Sequence, residues 1–207
     1  MSTGRGLEEL LKKSRMTKKL KRNLRVGKME LINFVNMNQE EARMVLRWRN
    51  NDEVRKWMYR ETPITAEEHK DFLASLKTDP RNFYYLVKEG ERYLGVINLT
   101  RLDYANRHAY LGIYRNPEEE IIHTGTKLGR ILLTLAFDIA GLHTLKLEVI
   151  EDNERAISFY KKLGFVKEGR LREFVFRDGK WKDVIIMGMT EEEYRRKRHE
   201  SGVENRR

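Results

Sequence analysis

Two strand patterns separated by a helical one constrain the topology of this chain more than any other feature. His108 to Tyr114 reads as a strand, about Thr126 to Ile139 as a helix and Leu145 to Ile150 as another strand. A strand–helix–strand passage brings its second strand back parallel beside the first, so these two strands are neighbours in a mixed sheet covered by helices. A second helix, Glu154 to Lys162, and a long hairpin closing at Asp178-Gly179 complete this half. Upstream, Phe83 to Lys88, Tyr93 to Leu99 and His108 to Tyr114 form an antiparallel meander, broken at Glu89-Gly90 and at Asp103 to Arg107. Before the meander come a short strand (Glu30 to Phe34), a helix over Gln39 to Arg49 and a shorter turn through Trp57. Thr65 and Glu68 form a capping box for a helix running to about Lys77, with His69, Phe72, Leu73 and Leu76 as its buried stripe. The fold class is α/β, a mixed and mostly antiparallel sheet flanked by helices.

No Pro, Gly or Ser-rich stretch divides the 207 residues, so one domain is expected over 29–190. The net charge of +10 is concentrated at one end: residues 1–30 carry ten Lys or Arg against three Glu. The segment KKSRMTKKLKRNLRVGK has few large apolar residues and no strand pattern, so residues 1–28 read as a basic, flexible extension. Three readings of it stand side by side: a solvated or mis-assigned start ahead of Met29, a nucleic-acid or ribosome tether, and an amphipathic surface helix. Residues 191–207 read as a charged tail. The absence of cysteine excludes disulfides, thiolate metal sites and cysteine nucleophiles. The longest apolar run, Ile131 to Ala136, is too short to cross a bilayer, and no signal peptide is visible, so a soluble, cytoplasmic protein is expected with no membrane partner.

The stretch LEVIEDNERAISFYKKLGFVKEGRLREFVFRDGKWKDVIIMGM carries the chemistry. Its strand, its Asn-x-x-Ala-x-x-x-Tyr helix, its Leu-Gly-Phe turn and its hairpin resemble, in order and spacing, the C-terminal half of the GNAT acetyltransferase superfamily. In the first half, LRWRNNDEVRKWMY, EEH, YLGVINLTR and HAYLGIYRNP resemble one branch of it. That branch acetylates the 4-amine of a UDP-linked sugar, UDP-4-amino-4,6-dideoxy-N-acetyl-β-L-altrosamine, in pseudaminic acid biosynthesis, ahead of surface or flagellar glycosylation. The resemblance spans roughly residues 30 to 189 and implies the GNAT fold, acetyl-CoA as co-substrate, no metal and a nucleotide-sugar acceptor.

Such a transfer requires a neutral amine, donors for the developing oxyanion and a proton for the departing thiolate. A tyrosine, with a reference pKa of about 10, suits the last task, and the resemblance gives Tyr160 the general-acid role. The alternative is an aromatic packed on the sheet beside Phe159. Glu148 points opposite to Leu147 and Val149 and could take the amine proton directly or through water. Alternatively it is a solvated glutamate or a partner for Lys146 or Arg170. The cofactor pyrophosphate needs converging N–H groups at a helix start, and Thr124 to Arg130 lies in the right place. Only its final glycine, Gly129, fits the superfamily's usual pattern. Gly125, Thr126, Lys127, Gly129 and Arg130 are the candidates there. Leu111, Gly112 and Ile113 would pair with the pantetheine arm, unless Gly112 marks a plain bulge. Asn153 would bond the same arm or cap a helix. For the acceptor, the resemblance carries over Arg49, His69, Thr100, Arg101 and Tyr114, the two arginines suiting a diphosphate. Asn98 replaces a small residue of the branch and would narrow or polarise the acceptor pocket.

Two other readings stay open. Ribosomal-protein N-terminal and polyamine acetyltransferases share the Arg-Trp-Arg-Asn opening, and a catalytically inactive RNA- or ribosome-binding module could keep the fold. The oligomeric state, a homodimer included, is not fixed by the sequence.

Overall fold

A computed structural model describes residues 3–119 and 123–200. Its centre is one eight-stranded sheet in the order β1-β2-β3-β4-β5-β6-β8-β7. The strands are β1 (Leu24–Val26), β2 (Met29–Asn33), β3 (Phe83–Glu89), β4 (Arg92–Asp103), β5 (His108–Arg115), β6 (Thr144–Ile150), β7 (Val166–Arg177) and β8 (Lys180–Thr190). The helices are α1 (Thr3–Leu20), α2 (Gln39–Asn50), α3 (Asp52–Arg55), α4 (Ala66–Leu76), α5 (Thr124–Leu133), α6 (Glu154–Leu163) and α7 (Glu191–Glu200). Every element read from the sequence occurs, with ends shifted by a few residues. The helix expected from Thr126 to Ile139 begins at Thr124 and widens into π-helix over Thr134–Ile139.

Strand alternation sends one set of side chains to each side of the sheet. Tyr85, Val87, Ile97, Leu99, Leu111, Leu147 and Met187 build the larger core under α5 and α6. Ile32, Leu86 and Val96 face the other way, against Val45 and Trp48 of α2 and Leu76 of α4. Both helices on this second side start with capping boxes, Asn38 with Glu41 and Thr65 with Glu68. All neighbouring strands are antiparallel except β5 and β6, whose parallel pairing covers only His108–Tyr110 against Thr144–Lys146. The expected neighbours are therefore in place, but beyond Tyr110 and Lys146 no ladder joins them and the sheet opens into a cleft.

The extension read as unable to order itself is ordered where it meets the domain. Helix α1 is exposed along most of its length but ends with Leu20 fully buried. The Leu20 carbonyl accepts from Asn33 at 2.8 Å and from the Tyr85 hydroxyl, and Thr17 meets Tyr104 at 2.7 Å. Leu20 at the helix end, with Met16 one turn earlier packed on the core, supplies the anchor that a count of apolar residues along the segment underestimates. Likewise the charged tail is helical to Glu200 and joined to the domain. Tyr194 stacks on Phe137 at 4.8 Å and donates to Asp138 at 2.7 Å. Among the described residues no helix is long and apolar enough to cross a membrane.

Candidate active site

The open edge of β5 leads directly to the start of α5. Leu111, Gly112 and Ile113 lie just past the last β5–β6 pair. A Cβ placed on Gly125 would lie 3.9 Å from Arg115 at the end of β5 and 3.7 Å from the Phe159 ring of α6. The end of β5, the first turn of α5 and α6, the helix that carries Tyr160, therefore meet at Gly125. His123, with φ 64°, precedes α5 and its side chain makes no cap, and the first-turn N–H groups point out of the helix end. That end, with the positive pole of the helix dipole, fits a pyrophosphate, and the open strand edge fits an extended amide-bearing arm. The residues present therefore suit coenzyme A.

Individual candidates divide. Thr126 and Arg130 line a cavity of about 330 Å³ between α5, α6 and α7. Lys127 reaches the other way and pairs with Glu89 of β3 at 2.7 Å. Gly129 serves helix packing: a Cβ there would lie 2.6 Å from Leu163, so its absence lets α6 close on α5. The Asn153 side chain accepts from Ala156 N–H at 3.1 Å and caps α6, one of the two roles open to it. Tyr160 is buried, with the rings of Phe159 and Phe165 edge-on at 5.2 and 5.7 Å. Burial pushes its phenol above the ordinary tyrosine value, and its hydroxyl has no hydrogen-bond partner among the described residues.

Glu148 lies on the opposite face of β6, in the mouth of the cleft. Neither Lys146 nor Arg170 pairs with it: Lys146 bonds Glu168 and Arg170 bonds Glu151 and Asp183. Instead Glu148 accepts from Arg101 at 2.8 Å and from the Tyr59 hydroxyl at 2.6 Å, and its side chain is 13% exposed. Arg101 sits where the β4–β5 register breaks between Thr100 and Asp103, with φ 54°. This left-handed conformation costs a non-glycine residue about 1–3 kcal/mol. It lays the guanidinium 3.6 Å over the Tyr110 ring, next to the carboxylate.

Further along the same face, register places Tyr84, Asn98 and Gly112 side by side, with Tyr114 opposite Val96. The Asn98 amide fills the space above Gly112, where a Cβ would come within 2.6 Å of it. Gly112 therefore accommodates Asn98 on this side. Half-buried Arg49 of α2 pairs with no carboxylate among the described residues. Burial lowers its pKa, offset by the Tyr114 phenol and reinforced by Arg60 and Arg177. Burial also raises the phenols of Tyr114 and Tyr84. Thr100 makes a long bond to the Tyr110 carbonyl at 3.4 Å. His69 stands apart from this group: it is 7% exposed, and its Nε2 bonds the Ala42 carbonyl of α2 at 3.0 Å. It ties α4 to α2, and burial holds its pKa below the usual imidazole value.

Sequence reasoning missed Tyr59 and Tyr110, the two aromatics in contact with the Glu148–Arg101 pair. Tyr59 lies between α3 and α4, where no periodicity ranks one residue over another. Tyr110 carried a usable signal, since it shares the strand parity of Gly112 and Tyr114.

Comparison with known proteins agrees with this geometry. An acetyltransferase (GNAT) domain model matches residues 34–186. Acetyltransferase PseH of Campylobacter jejuni is 28% identical over 147 residues, covering 71% of this chain and 90% of that protein. Spermidine N(1)-acetyltransferase of Escherichia coli is 27% identical over 159 residues, covering 76% and 85%. The crystal structure of spermidine N-acetyltransferase from Vibrio cholerae, in complex with CoA and spermine, superposes with a TM-score of 0.72 at 24% identity, covering 82% and 99%. The chain belongs to the GNAT family and is an N-acetyltransferase that takes its acetyl group from acetyl-CoA.

Proposed function

We propose that the acceptor is the amine of a UDP-linked amino-dideoxy sugar, namely the 4-amino group of UDP-4-amino-4,6-dideoxy-N-acetyl-β-L-altrosamine on the route to pseudaminic acid. The observation that carries this reading is Arg49. It is a half-buried guanidinium on the acceptor side, with no carboxylate partner among the described residues, flanked by Tyr84 and Tyr114 and near Arg60 and Arg177. An unneutralised cation in a partly desolvated position favours a phosphate-bearing ligand and repels a polyamine. Relatives that acetylate spermidine support a second reading, in which Glu148 would be the carboxylate that receives a cationic acceptor.

Acetyl-CoA supplies an activated thioester and a thiol leaving group; the chain supplies the proton handling. Glu148, its oxygens oriented by Tyr59 and Arg101, accepts the proton of the incoming ammonium and leaves a neutral amine to attack. Tyr160, its phenol held above the ordinary value, stays protonated at neutral pH and delivers its proton to the departing sulfur, while the second N–H proton, released as the amide forms, returns through solvent to the phenolate. Arg49 and Arg101 hold the diphosphate, and Asn98 above Gly112 limits the depth available to the sugar.

Arg49→Gln tests the reading. Losing a charge-assisted contact worth about 1.5–3 kcal/mol raises the KM for the UDP-sugar by roughly 10- to 100-fold, with the KM for acetyl-CoA unchanged. An unaltered UDP-sugar KM, or an improved rate with spermidine as the preferred acceptor, contradicts it.

A further inference from the structure

The base in the cleft is held by a residue far from it in sequence. Oε2 of Glu148 accepts the Tyr59 hydroxyl at 2.6 Å, while Oε1 accepts Arg101 at 2.8 Å. The Tyr59 ring is 44% exposed, yet the segment that carries it is gripped from behind by the β7–β8 hairpin. Arg177, only 8% exposed, donates to the Met58 carbonyl and, at 3.4 Å, to that of Arg55. The Asp178 N–H donates to Glu61 at 2.9 Å, and Phe174 packs edge-on against Tyr59 at 6.1 Å. Three hairpin residues therefore fix a phenol whose single hydrogen bond goes to the carboxylate.

We infer that Tyr59 is a positioning residue for Glu148, one that holds the carboxylate toward the acceptor amine when Arg101 turns to the substrate's phosphate. The inference rests on the role given to Glu148 above. Arg101 cannot remain a full partner of Glu148 and also neutralise a diphosphate, because its guanidinium charge is shared between the two. Tyr59 has no such competing role. Burial of its hydroxyl end and the bond to Glu148 both raise its pKa, so it remains a donor across the neutral and mildly alkaline range. A carboxylate with one oxygen fixed keeps the other aimed; one with neither fixed samples several rotamers, and a small misplacement of a catalytic group is costly.

The test compares Tyr59→Phe, Glu148→Gln and the double variant in steady-state acetyl transfer to the best acceptor found. The phenylalanine keeps the ring and its packing on Phe174, and a thermal melt equal to wild type verifies the fold. The expected result is a kcat lower by about 10- to 100-fold in Tyr59→Phe, with both KM values within about threefold. The double variant should be no slower than Glu148→Gln alone, because Tyr59 acts only through that carboxylate. Slow Glu148→Gln with Tyr59→Phe at the wild-type rate, or two losses that multiply in the double variant, overturns the role of Tyr59 alone. Glu148→Gln at the wild-type rate overturns both the base and the positioning residue.

Discussion

At the scale of single residues, the two groups proposed to handle protons, Tyr160 and Glu148, lie on opposite sides of the sheet and are tuned by different means. Tyr160 is walled by Phe159 and Phe165 and responds to burial alone, whereas Glu148 is oriented by two donors. Tyr160→Phe keeps the ring and its packing, so kcat is expected to fall by about 10²- to 10⁴-fold, the usual contribution of a positioned acid. The KM for acetyl-CoA should stay near wild type. Thiol-release kinetics check both values, and an undiminished kcat would leave Tyr160 as a core aromatic. The positions of Tyr160 and Glu148 were readable because each sits on a regular element where spacing or alternation fixes direction. Their partners were not: Tyr59 reaches Glu148 across 89 positions of sequence, and Arg101 does so only because a register break gives it a left-handed backbone.

At the scale of elements, the most informative contact is the one that engages a candidate side chain in helix packing. His69 lies on the buried stripe of α4, as its spacing indicated, and spends its Nε2 on the Ala42 carbonyl of α2. The folded chain disfavours its protonated form, while in the unfolded chain it protonates near the reference value of about 6.5. The unfolded state therefore binds more protons as pH falls through that value, and this contribution to stability is intact above it and lost below. Urea midpoints at about pH 7.5 and 5.5 should differ in the wild type, and His69→Gln should shrink the difference. An equal drop in both proteins would place the acid sensitivity elsewhere. Helix and strand types were legible because capping boxes at Thr65 and alternation in β3 to β6 are local signals. The functions of Gly129 and Lys127 were not, because they depend on Leu163 and Glu89 arriving from other elements.

At the scale of the whole molecule, the parallel β5–β6 step organises the rest. Three residue pairs hold the strands together, and beyond them the sheet opens between an α5 end suited to anions and a face that carries Glu148. The adjacency of the two strands followed from the strand–helix–strand pattern; the opening beyond three pairs did not. Nor did the anchoring of the end helices α1 and α7, because it rests on a few residues, Met16, Thr17 and Leu20 at one end and Tyr194, Arg195 and Arg198 at the other, in segments dominated by charge. The proposed acceptor rests on the charge of the face that carries Arg49, which lacks a carboxylate partner among the described residues. The most direct measurement is acetyl-CoA-dependent thiol release by the purified protein with a 4-amino UDP-sugar, spermidine and a ribosomal-protein N-terminal peptide offered in parallel. The expected result is the highest kcat/KM with the UDP-sugar, reduced in Arg49→Gln; turnover confined to spermidine or to the peptide would contradict the account.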